Sequence, residues 1–127
     1  MKFFVDNCLA PRYAKLLGAL DYGEVTSLRE HFAPNTTDVV WITELGERGW
    51  VLLSLDRSQR SKPPERAALK ASGVIAFYFA KGFDHLPLDE QAWRIVKFWP
   101  AIAARAEAAR KGECYMVRIN GKIDPLL

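Results

Sequence analysis

Apolar positions along this chain fall into two alternating patterns, short unbroken runs and longer stretches with helical spacing. Residues 2–5 form a short β-prone run. From Pro11 to Leu20 the spacing turns helical, with Leu16, Leu17 and Leu20 as its apolar face and a proline well placed for a first turn. Tyr22 and Gly23 end it, and residues 24–28 predict a second strand. Pro34, Asn35 and two threonines make residues 31–37 a loop. Thr37 and Asp38 then open a helix that runs to about Arg48, the hydroxyl as cap and the carboxylate at the positive end, with Gly49 as the stop.

Residues 50–55 are apolar almost throughout, as suits a central strand buried on both faces of a parallel sheet. A polar loop over 58–64 leads to a short helix over 64–72, closed by Gly73. Residues 74–80 predict a second fully apolar strand, and 81–87 a loop. A long helix is predicted over 88–111, bent or divided at Pro100. Residues 114–119 predict a last short strand, with a loosely held tail after Gly121. Strands alternating with helices imply right-handed crossovers and a mainly parallel sheet covered on both faces, an α/β class. The length of 127 residues fits one domain over 1–127.

In open sheets of this kind the ligand site lies beyond the carboxyl ends of the strands. Asp6 directly follows the first predicted strand, Asp56 directly follows the third, and Asp38 opens the helix after the second. Three carboxylates from separate segments therefore converge on one sheet edge. Close carboxylates repel, and a hard cation such as Mg²⁺ or Mn²⁺ is the usual compensation. The chemistry that follows is metal-assisted hydrolysis of a phosphodiester, with Asp6, Asp38 and Asp56 as catalytic metal ligands. Asn7 offers an amide oxygen. Arg57, Arg60, Lys62 and Arg66 cluster behind Asp56 and, with Arg12, offer cations for a nucleic-acid phosphate; each is also at home in a solvated loop.

The segments KFFVDN with LAP behind it, EVTSLREHF, DVVWITELG and GWVLLSLDR resemble PIN-like domains, in particular the small branch related to VapC-type toxin ribonucleases. The likeness extends from Met1 into the Trp93 helix. It implies a three-layer α/β/α sandwich and a Mg²⁺- or Mn²⁺-dependent ribonuclease acting on RNA. It also implies a toxin held by a cognate antitoxin protein. Matched by position, Asp6, Asp38 and Asp56 stand where that family has acids. Asn7 and Arg57 stand where further acids are common.

Fifteen acids against eighteen bases give a mild net charge of +3, which neither demands nor excludes nucleic acid. Cys8 and Cys114 stand far apart, without the spacing of a zinc site or a disulfide scaffold. The first apolar run is too short for a signal peptide, and no stretch is long enough to span a membrane, so a cytoplasmic protein is expected. Phe98 and Trp99 are adjacent on the long helix; one of them facing outward would suit a homodimer or antitoxin contact. Two further readings stand beside the nuclease. One is a catalytically degenerate module of the same fold that binds RNA or a protein. The other is a receiver-type phosphoacceptor domain with Asp56 as the acceptor.

Overall fold

The computed structural model of the chain describes residues 1–6, 9, 11–57 and 61–126. Its sheet is built from β1 (Lys2–Val5), β2 (Glu24–Ser27), β3 (Val51–Ser54), β4 (Ile75–Phe79), β5 (Cys114–Val117) and β6 (Ile123–Leu126). The strand order is β2-β1-β3-β4-β5-β6, parallel throughout except for the antiparallel pair β5–β6. The helices are α1 (Pro11–Ala19), α2 (Leu28–His31), α3 (Asp38–Arg48), α4 (Pro63–Ser72) and α5 (Leu88–Ala108), with a 3₁₀ turn at Lys81–His85.

The two-residue pleat divides the core. Phe3, Val5, Val51, Leu53 and Phe77 face α1 and α5, while Phe4, Leu52, Ala76 and Tyr78 face α3 and α4. All nine are fully buried, which is why β3 and β4 read as unbroken apolar runs. Trp99 sets its ring edge-on to Phe3 at 4.7 Å between centroids. Burial of side chains of this size contributes about 1.5–3 kcal/mol each.

The connections do not all have one hand. α1 and α5 share a face of the sheet, yet α1 carries the chain from β1 to one side and α5 carries it from β4 to the other. α3 and α4 also move toward β4, but on the opposite face. The crossover through α5 is therefore opposite in hand to the others, a departure from the uniform hand expected from the element order. The reason lies in packing. α1 alone covers little of its face, and Phe77, Phe79, Tyr115 and Val117 would face water without Ile95, Trp99, Ile102 and Ala106 above them.

Several local expectations are corrected. α5 runs unbroken through Pro100. Trp99 is fully buried, and Phe98 is partly buried against Gly121, where an added Cβ would meet its ring at 2.6 Å. The residues after Gly121 are not a loose tail; they form β6, an edge strand that tolerates Pro125. The second strand, expected over 24–28, ends at Ser27, and α2 takes Leu28 and the first residue, His31, of the loop expected over 31–37. Thr37 stands at the α3 N-cap, but its side chain makes no capping bond; its carbonyl accepts the first backbone bonds instead. No helix of the described residues is long and apolar enough to cross a membrane.

Candidate functional site

The strand order reverses between β1 and β3, because the chain leaves β1 toward β2 and later returns past it to β3. A crevice opens at such a point beyond the carboxyl ends. Asp6 and Asp56 both stand there. Asp6 extends the β1 ladder by one bond, its N–H donating to the Leu53 carbonyl at 3.0 Å. Its side chain is buried, and Oδ2 accepts the Ser54 hydroxyl at 2.9 Å. The backbone N–H of Asp56 donates to the same Ser54 Oγ at 2.8 Å. A single buried hydroxyl thus ties the two acids to each other.

Asp56 opens onto a cleft of about 540 Å³ that it shares with Arg12, Tyr13, Asp84, Leu88 and Gln91. Arg12 is exposed on the rim. Tyr13 donates its phenol to Gln91 Oε1 at 2.8 Å, and Gln91 Nε2 donates to the Phe83 carbonyl at 2.9 Å, so one wall is fixed by α1, α5 and the 3₁₀ turn together. Burial raises the Tyr13 phenol above the usual tyrosine range, and the neighbouring Arg12 charge opposes that rise. At the end of β2, the buried Ser27 Oγ has no hydrogen-bond partner among the described residues. Ser27 is in register with Val5, one residue before Asp6.

Asp84 was not anticipated from the sequence. It lies in the stretch read as a loop behind β4, although an acid just beyond a strand was the signal used for Asp6 and Asp56. Arg57 engages it through both guanidinium nitrogens, Nη2 to Oδ2 at 2.5 Å and Nη1 to Oδ1 at 3.4 Å, and also donates to the Phe79 carbonyl at 2.8 Å. Arg57 therefore braces the ends of β3 and β4.

The remaining expected residues sit as follows. Asp38 opens α3 half-buried, with Oδ1 accepting from Trp41 Nε1 at 3.1 Å. Lys62 stands exposed at the α4 N-cap. Asn7 and Arg60 lie outside the described residues, as does Cys8. Outside the expected set, His31 packs against the rings of Phe4, Phe32 and Trp50, and Glu44 pairs with Arg48 at 2.9 Å. Among the described residues, no three His, Cys, Asp or Glu side chains gather in a group that could hold a metal ion. A receiver-type site needs a hydroxyl after the fourth strand and a lysine after the fifth; Ala80 and Arg118 occupy those places, and β6 stands where a last helix would follow.

A family model described as the PIN like domain matches residues 1–81, from β1 through β4. No curated protein and no solved structure matches the chain.

Proposed function

The chain belongs to the PIN-like domain family, a nuclease-type group whose members are generally dependent on divalent metals, and on that premise we propose that it is an Mg²⁺- or Mn²⁺-dependent ribonuclease acting at the β1–β3 crevice. The observation that carries this reading is the pairing of Asp6 and Asp56 through Ser54 at the point where the strand order reverses.

The donor set fits the ion. Mg²⁺ keeps several waters and needs only one or two carboxylates beside substrate phosphate oxygens. Asp6 and Asp56 would hold it; Asp38, bonded to Trp41 in the first turn of α3, does not join them in a group of three among the described residues. When bound, the ion supplies charge to the phosphoryl oxygen and lowers the pKa of a water. The chain's own residues do the rest. Ser54 orients the Asp6 carboxylate. Arg12, on the cleft rim, pairs with the phosphate of the strand. Tyr13 and Gln91, bonded to each other, give that strand a rigid wall. Within this reading the protein is the toxin of a toxin–antitoxin pair, restrained by a cognate antitoxin and working in the cytoplasm.

One observation favours a second reading. Asp84, the further acid of the cleft, is engaged by Arg57, and this lowers the negative charge available to a cation. A catalytically silent member that binds RNA or a protein partner would tolerate that pairing.

Calorimetric titration with Mn²⁺, run on the wild type and on Asp6→Ala and Asp56→Ala variants beside cleavage of a labelled RNA, decides between the two. The nuclease reading expects binding and cleavage in the wild type and neither in the variants. A folded wild type that binds no Mn²⁺ leaves the silent module.

A further inference from the structure

Because α5 crosses on the face shared with α1, the sheet face under α3 and α4 receives no further helix beyond α4 among the described residues. The edge pair β5–β6 extends past α4 on that side. A groove of about 290 Å³ results. Its walls include Arg57, Ser61, Arg66 and Lys70, and Leu69 and Leu126 give it an apolar floor; no acidic side chain lines it among the described residues.

Arg66 and Lys70 are one helical turn apart on α4, and both are exposed. Like charges at this spacing repel. Neither is in an ion pair among the described residues, and Arg57 beside them in the groove wall is paired with Asp84. The stretch 57–70 holds five Lys and Arg against the single acid Glu65, so the positive balance of the whole chain resides there. The Arg57 guanidinium is committed to Asp84 and the Phe79 carbonyl and serves as a wall. An anion between Arg66 and Lys70 would remove their repulsion.

We propose that this groove binds a phosphate ester, with Arg66 and Lys70 on the phosphate oxygens and the uncharged part of the ligand over Leu69 and Leu126. The volume sits at the small end of ligand pockets, roughly 300 Å³ upward, and suits one phosphate with part of its substituent. Among the described residues the groove and the acidic cleft share no lining residue and adjoin at the Arg57–Asp84 pair, so the proposal holds whether or not the cleft is catalytic. The phosphate is supplied either by a mononucleotide or by one phosphodiester of a single strand.

The test is made in chelator, without divalent metal. A labelled single-stranded RNA oligonucleotide is followed by anisotropy, and AMP and inorganic phosphate by calorimetry. The proteins are the wild type and the double variant Arg66→Gln with Lys70→Gln. Glutamine is a good helix former at these exposed positions, and Arg66→Lys with Lys70→Arg serves as the charge-retaining control. The wild type is expected to bind, the glutamine variant to bind at least about tenfold more weakly, and the control to bind as the wild type does. Binding of the oligonucleotide alone assigns the phosphate to a strand; binding of AMP or phosphate as well assigns it to a small ligand. The proposal is overturned if the wild type binds none of the probes, or if the glutamine variant binds as tightly as the wild type.

Discussion

Ser54 donates its hydroxyl to Oδ2 of Asp6 at 2.9 Å, and this buried bond joins the carboxyl ends of two neighbouring parallel strands. Ser54 is fully buried and Asp6 is 7 % exposed, so water competes little for either group. The same oxygen receives the Asp56 amide, so both acids are tied to one atom.

Replacing Ser54 by Ala removes a donor from a buried carboxylate and an acceptor from an amide. The expected loss is about 1–3 kcal/mol of stability, seen as a lower urea midpoint with an unchanged slope. Mn²⁺ affinity should fall with it, although no proposed ligand has been altered. A midpoint equal to the wild type would show that the two strand ends are held by something other than this hydroxyl.

Arg57 presents the opposite case, a contact whose removal costs stability and favours metal binding. Its side chain is 24 % exposed and that of Asp84 is 35 %, so solvent screens the pair. Arg57→Ala is expected to cost only about 1 kcal/mol. It also releases the Asp84 carboxylate into the cleft that holds Asp56. Mn²⁺ should therefore bind more tightly to this variant than to the wild type. Unchanged or weaker binding would mean that Asp84 contributes no field at the site.

Acid should loosen the edge strand before the core. The hydrogen bond from Arg118 holds the Asp124 carboxyl below the usual aspartate range, and the nearby charges of Lys122 and Arg118 act in the same direction. A carboxylate with a depressed folded-state pKa stabilises fully above its ordinary range, and that contribution is lost as pH falls through the depressed value. The gap in unfolding midpoint between the wild type and Asp124→Asn should be widest near neutrality and close in that acid window. A gap that does not change with pH would show that Asp124 acts through packing alone.

Much of the fold was legible because its signals are local. The boundaries of α3 are set by an acid in the first turn and by Gly49, which takes a left-handed conformation at φ 72°. The buried strands β3 and β4 announce themselves by unbroken apolar runs. Asp6 and Asp56 were legible as strand-end acids, since parallel neighbours bring equivalent positions to one edge. Asp84 was passed over because it lies inside the 3₁₀ turn Lys81–His85 and not directly at the end of β4. Arg57 was read as a cation for phosphate; the carbonyl and carboxylate that claim it lie 22 and 27 residues away.

The sequence by itself determined most of the element types, the α/β class and the acids at the strand ends, because propensity and two- or four-residue periodicity act between near neighbours. Tertiary structure alone decided the face on which α5 crosses, the pairing of β6, the Ser54 link between Asp6 and Asp56, and the division of the cations between a brace and a groove. Those depend on which surfaces remain uncovered after the sheet has assembled, and that is a property of the whole packed chain and of no short stretch of it.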